Sequence, residues 1–319
     1  MLRFTKGTLS FGIVVLFLSC AGNAAAQNYP EKPIRVFAPQ AGTSIDFLLR
    51  LITQPLSEAL GQRPLIENRG VIGVEIVAKA PADGYTLICY TNPMWLTPLF
   101  RDASWDPLKD FAPITMMAST PSVLVVHPTL PVKTVKDLIA LAKARPKELN
   151  YASGSTGAAT HVGAELFKNM AGIDIVRVNY KGTAGAITDL MAGQVQIMFP
   201  SAGAAMQHVK SGRLRALAVA SPAPSPLTPG LPTIAAAAGL RGYESRTLTA
   251  LFAPAGTPDA VMRRLTQEFV RVLGRPDIKD KLLNSGIEVV ASTPQELAAT
   301  VRSEVAMIGK VVKQAGLRE

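Results

Sequence analysis

Short runs of β-branched and aliphatic residues alternate along this chain with segments of helical periodicity, and that alternation restricts the fold more than any other feature. The runs are Ile34-Arg-Val-Phe-Ala38, Tyr85-Thr-Leu-Ile-Cys89, Val123-Leu-Val-Val126, Ile175-Val-Arg-Val178, Val195-Gln-Ile-Met-Phe199 and Leu214-Arg-Ala-Leu-Ala-Val219. Strands separated by helices form βαβ units, which build parallel sheets. Between the first two runs, Ile45, Leu48, Leu49, Ile52, Leu56, Ala59 and Leu60 recur at helical spacing, Pro55 interrupts, and Gly61 is a stop signal. Thr134-Val-Lys-Asp137 reads as a capping box. Thr257-Pro258 and Thr293-Pro294-Gln-Glu296 each read as an N-cap followed by proline at the first helical position.

The start of the chain is set aside from the fold. Arg3 and Lys6 precede the apolar run Phe11-Gly-Ile-Val-Val-Leu-Phe-Leu18, which ends in small residues at Ala24-Ala25-Ala26, the pattern of a secretory signal peptide over residues 1–26. The run is shorter than the roughly 20 residues that a membrane-spanning helix needs. A mature, soluble chain beginning near Gln27 is expected. Cys20 raises lipid attachment as the rival, although Phe17-Leu18-Ser19 before it fits that signal poorly. Without Cys20, Cys89 is alone, so an internal disulfide is excluded; in Leu87-Ile-Cys-Tyr90 it reads as a buried strand residue. Loss of Arg3 and Lys6 lowers the formal charge from +10 to +8. The cations are scattered and do not pair with aromatics, which argues against nucleic acid and for a general attraction of anions. The length that remains exceeds a typical single core and favours two α/β domains. Ser119–Pro128 and Thr247–Pro254 read as the crossings between them. The proline-rich Ser221–Pro229 reads as a loop.

Two loops have the features of anion sites. Pro39-Gln-Ala-Gly-Thr-Ser-Ile-Asp46 follows a strand and opens a helix, and Ala152-Ser-Gly-Ser-Thr-Gly-Ala-Ala-Thr-His161 repeats that setting. Backbone N–H groups and a helix dipole there point at whatever lies beyond the sheet. The candidates are Gln40, Ala41, Gly42, Thr43, Ser44 and Asp46 in the first loop, and Ser153, Gly154, Ser155, Thr156 and His161 in the second. Neither loop brings a fixed cation of its own, so capture by backbone and hydroxyls is expected. Each residue also has a purely structural alternative: Asp46 as a first-turn acid, Ser153, Ser155 and Thr156 as caps, His161 as a packing residue, Trp95 as core or rim. Ser153-Gly-Ser-Thr-Gly157 also suggests a nucleophile elbow at Ser155, with Asp189 and His208 following in the order of a hydrolase triad. The motif's first glycine is Ser153 here, and Asp189 lies in the helical pattern Ala186–Met191, so a secreted serine hydrolase is the alternative function and a non-catalytic receptor the preferred one. His127, His161 and His208 lack metal-ligand spacing, and no dinucleotide or phosphate-loop fingerprint is present, so no cofactor is expected.

The chain also resembles the Bug family of periplasmic receptors, the extracytoplasmic binding proteins of tripartite tricarboxylate transporters. The resemblance runs from about Tyr29 to the C-terminus, through Tyr29–Arg35, Leu60–Arg69, Pro81–Leu87, Trp105–Pro113, Leu124–Pro128, Leu149–Gly154, Asn179–Thr183, Gly193–Phe199 and Leu251–Pro258. It implies an α/β, two-lobed periplasmic-binding-protein fold of type II character. Each lobe is then a mostly parallel sheet flanked by helices, with residues 27–121 plus 249–319 in one lobe and 122–248 in the other, hinged around a ligand cleft. It implies a small carboxylate ligand held between the two loops, with Tyr180, Lys181, Gly182 and Thr183 lining or supporting the cleft. It also implies a monomeric protein that works with the membrane subunits of a tripartite transporter or with a sensor. Side chains in Gln40–Ile45 replace a barer loop, and Pro200-Ser201 stands where the family often has an acid. Thr91–Pro98, with Trp95, offers an apolar wall. Together these departures favour a less polar, even aromatic, carboxylate.

Overall fold

Strand β1 (Arg35–Ala38) lies next to the edge of the first sheet, between the edge strand β2 (Leu65–Asn68) and β3 (Thr86–Thr91), and pairs in parallel with both. The computed structural model describes residues 29–154 and 156–318. The signal-peptide expectation, Cys20 and Ser155 therefore fall outside the described residues. Beyond β3 come β10 (Arg246–Pro254), β4 (Phe111–Pro121) and β11 (Glu288–Val289), each antiparallel to its neighbour. The second sheet repeats the parallel half: β6 (Asn150–Ser153) lies between β7 (Val176–Asn179) and β8 (Ile197–Met198), parallel to both. There β5 (Val123–Val126) and β9 (Arg215–Val219) complete the order antiparallel. The architecture is two-lobed and α/β, and each sheet is mixed, a parallel trio extended by strands adjoining the two crossings.

Both faces of each sheet are covered, which accounts for continuous apolar runs rather than alternation. Val123–Val126 is fully buried throughout: Leu124 and Val126 enter a cluster with Tyr151 and Phe167, whereas Val123 and Val125 enter one with Leu190 and Met198 on the opposite face. On the first sheet Val36 and Ala38 pack with Leu48, Leu49 and Ile52, and Phe37 faces Val74 and Trp95. The helices responsible are α1 (Ser44–Leu60), α2 (Val71–Ala78) and α3 (Pro93–Phe100) in the first half. The second lobe has α4 (Val135–Ala144), α5 (Ala159–Ala171), α6 (Thr183–Met191), α7 (Ala202–Lys210) and α8 (Ile234–Ala238). The chain ends with α9 (Asp259–Leu273), α10 (Pro276–Asn284) and α11 (Pro294–Ala315).

Most helix signals act as expected. Gly61 ends α1 at φ 70°, and Thr134 and Thr293 close capping boxes with Asp137 and Glu296. Thr257 is a correction: its hydroxyl donates to the Pro254 carbonyl at 2.8 Å, and Pro258 takes the N-cap position of α9. Thr247–Pro254 is not a crossing but most of β10. The chain leaves the first sheet through one residue, Ser122, between β4 and β5, and returns through residues 220–245. Here Ala220 N donates to Ser122 O and Ser245 N to Ala220 O, each at 2.8 Å, and Ser122 N donates to Ser245 O at 3.3 Å, so both crossings are bonded to each other. α11 adds a second bridge, with Leu297, Val301, Ile308 and Val312 in a first-lobe cluster and Val311 in the second-lobe core.

Candidate functional site

The two parallel trios share one topology. β1 is followed by α1 and β2 on one side, then by α2 and β3 on the other; β6 is followed in the same way by α5, β7, α6 and β8. The C-terminal end of the central strand is thus a topological switch point, where successive crossovers diverge and leave a crevice. The two candidate loops occupy these two points, between β1 and α1 and between β6 and α5.

In the first loop, Gln40, Ala41, Gly42 and Ser44 are exposed, while the loop's form is set from beneath by Asp46. The Asp46 carboxylate, 5% exposed, accepts Gly42 N at 3.0 Å, Arg50 Nε at 3.0 Å on both oxygens, and Asn68 Nδ2 at 3.1 Å. Asn68 Nδ2 also donates to Pro39 O, and Thr43 caps α1 by accepting Asp46 N while donating to Gln40 O. The hydrogen bond from Arg50 holds the Asp46 carboxyl below the usual carboxylate range against the opposing effect of burial. Asp46 is therefore occupied in shaping the loop and is neutralised by Arg50. Gly42, at φ 78° with open space where a Cβ would be, is the position whose backbone a side chain would strain.

The second loop is organised by a residue that sequence reasoning missed. Arg177, half-buried on β7, donates from Nε to Ser153 Oγ at 2.7 Å and from Nη2 to Gly154 O at 3.1 Å and Asn179 Oδ1 at 3.2 Å. Both terminal nitrogens lie 3.4 Å from Thr156 Oγ1. The expectation of a loop without a fixed cation is thus corrected. The parallel pairing Tyr151↔Arg177 and Ser153↔Asn179 carries the guanidinium to the loop, and nothing in the local sequence of β6 announces it.

Gly154 N donates to Thr160 Oγ1 at 3.0 Å, and Gly157 N to His161 Nδ1 at 3.3 Å. Gly157 lies against Thr97 of α3, and the His161 ring is 5.2 Å from Phe100, so this loop and its helix rest on the first lobe. His161 is 1% exposed and belongs to that packing. Tyr180 continues the loop's frame: its N donates to Ser153 O and its hydroxyl to Asp189 Oδ2 at 2.8 Å. Lys181 is exposed. Trp95 does not wall a cleft: it is 1% exposed, and its Nε1 donates to Glu304 Oε2 at 2.7 Å within the core. Among the described residues no hydrogen bond joins Asp189 to His208, as a relay to Ser155 would require, and no group of His, Cys, Asp and Glu could hold a metal. Cys89 is buried in β3, where burial pushes its thiol pKa up.

The model of the tripartite tricarboxylate transporter family receptor matches residues 48–317. Protein BugT of Bordetella pertussis is 31% identical over 322 residues, covering 98% of both chains. A protein of R. palustris, solved with adipate, superposes with a TM-score of 0.77 at 37% identity, covering 90% of this chain and 98% of that one. MatC from Rhodopseudomonas palustris, solved with bound malate, gives 0.75 at 29% identity over 89% of this chain and 100% of that one. The match begins at residue 48, just past the first switch-point loop, and includes the second, and its members are receptors rather than catalysts. On the family match and on the similarity to BugT across almost the whole sequence, this chain belongs to the receptor family of tripartite tricarboxylate transporters.

Proposed function

We propose that this receptor captures a small dicarboxylate in the periplasm by closing its two lobes on it, and presents the loaded form to the membrane subunits of a tripartite transporter. The observation that carries this reading is the pair of equivalent switch points, one per lobe, each with a loop rich in backbone and hydroxyl donors. Two such loops on hinged lobes suit a ligand with an anionic group at each end. Adipate and malate in the two R. palustris proteins have that form. With Trp95 in the core, the apolar wall that favoured an aromatic carboxylate is gone. Residues 27–121 plus 249–319 and residues 122–248 act as the two bodies, with the bonded crossings as the hinge, and the exported protein begins near Gln27 and works as a monomer. Contacts to both lobes favour closure only to the extent that the ligand prefers the closed form.

Thermal denaturation of the purified protein with succinate, malate, glutarate, adipate and suberate, each beside the matching monocarboxylate, tests the reading. A diacid at about a hundred times its dissociation constant adds about 2.7 kcal/mol of stability, several degrees in Tm. A protein that responds to monocarboxylates alone, or to none of these compounds, is not a dicarboxylate receptor.

A further inference from the structure

The cations at the two loops differ in what balances them. Arg50, at the first loop, spends its charge on Asp46. Among the described residues Arg177 has no carboxylate within ion-pair distance; its acceptors are two hydroxyls, one carbonyl and one side-chain amide, all neutral. The donor count is as uneven as the charge. A guanidinium carries five N–H donors in a fixed fork. Nε and Nη2 have acceptors between 2.7 and 3.2 Å, whereas among the described residues Nη1 meets only Thr156 Oγ1 at 3.4 Å, beyond the usual range for such a bond. The half-buried guanidinium is held here by tethers that leave one edge with donor capacity.

We propose that Arg177 is the specificity-determining cation of this receptor: it selects a ligand whose second-lobe end is a fully ionised carboxylate, and the first loop, with its one cation neutralised, accepts a second end that is either charged or neutral. This rests on the dicarboxylate reading above and adds an asymmetry that reading lacks. Lys181, exposed on the neighbouring turn, is not the determinant.

The test is calorimetry with whichever of succinate, glutarate, adipate and suberate binds the wild type most tightly, together with its mono-amide and its diamide. The wild type is expected to bind the mono-amide within about tenfold of the diacid and to lose the diamide. Arg177→Gln is expected to weaken diacid and mono-amide by about ten- to a hundredfold, the effect of one lost charge-assisted hydrogen bond, and to narrow their advantage over the diamide. Arg177→Lys should keep more of that advantage, and Lys181→Ala should stay within about threefold of wild type. Because Arg177 also tethers the loop, Ser153→Ala provides the structural control: it removes the 2.7 Å tether and keeps the charge, and should lose clearly less than Arg177→Gln while keeping the preference for diacid over diamide. The proposal is overturned if Arg177→Gln binds the diacid as the wild type does, if Ser153→Ala loses as much as Arg177→Gln, or if the wild type binds diamide and diacid alike. A wild type that binds none of the four diacids overturns the dicarboxylate reading itself, an outcome separate from these.

Discussion

Packing against Phe100, with Arg177 and Lys168 nearby, makes His161 the residue where proton binding and folding meet most directly. Burial first, then those two cations, lowers its pKa to about 3. Its Nδ1 accepts Gly157 N–H, so the neutral ring carries its proton on Nε2, which has no partner among the described residues. In the unfolded chain a histidine titrates near 6.5, so between that value and 3 the unfolded state binds a proton that the folded state does not. The stability this contributes is complete above pH 6.5 and is lost as pH falls toward 3, at up to about 1.4 kcal/mol per pH unit. His161→Phe, which can stack on Phe100, should shrink the difference in urea midpoint between pH 7 and pH 4.5; an unchanged difference would show that His161 is protonated in place. At this scale the sequence groups Ser153, Gly154, Thr156 and His161 because they follow closely on one stretch of chain. Arg177 was not: it lies 24 residues from Ser153 and reaches it only through a strand pairing whose register no local pattern states.

Elements whose apolar runs are short and buried on both sides were readable, as Val123–Val126 shows with all four residues at 0% exposure. β2 was hidden because Leu65-Ile-Glu-Asn68 is a partly exposed edge strand of mixed polarity. The eleven residues of β4 carry prolines at 113 and 121, and its pairing with β10 shifts register twice, so no clean period survives. The seating of α5 on the returning crossing was equally invisible, although it fixes where the second loop points. Ser245 Oγ donates to Ala159 O, Tyr243 OH to Gly163 O, and a Cβ on Gly163 would lie 2.4 Å from Ser245 Oγ and 2.9 Å from its Cβ. Alanine at 163 gains about 1 kcal/mol of helix propensity, but relieving such overlap costs about 1 to 3 kcal/mol. Gly163→Ala is therefore expected to lower stability, and pairing it with Ser245→Gly should recover at least about 1 kcal/mol in a double-mutant cycle. Additive single effects would mean that α5 shifts freely on the crossing.

For the molecule as a whole, the residue that ties α11 to the hinge is Glu304. Its carboxylate accepts Trp95 Nε1 at 2.7 Å and Asn92 Nδ2 at 3.0 Å, while Asn92 Oδ1 accepts Leu248 N from β10 at 2.8 Å. Leu96 and Ile308 from the first lobe, Ala159 and Val162 from α5, Ser245 from the returning crossing and Arg246 at the start of β10 enclose the same small cavity, so both lobes and the hinge meet here. Burial raises the Glu304 pKa, opposed by the bonds from Trp95 and Asn92. The sign follows from linkage: a raised folded pKa means that the folded state holds its proton longer, so this contribution is complete below the unfolded value of about 4.3 and is lost as pH rises through the folded value. The need is for an acceptor more than for a charge. Glu304→Gln keeps an oxygen for Trp95 and removes the buried anion, and should stay within about 1 kcal/mol of wild type at pH 7 while flattening the pH dependence above 5. Glu304→Ala leaves the Trp95 and Asn92 donors without that acceptor, at about 1 to 3 kcal/mol each, and should cost more than about 2 kcal/mol. Urea denaturation of both variants at pH 5 and pH 8 decides between acceptor and charge. Equal losses in the two would mean that the negative charge itself, acting on Arg246 at the start of β10, holds the lobes to α11.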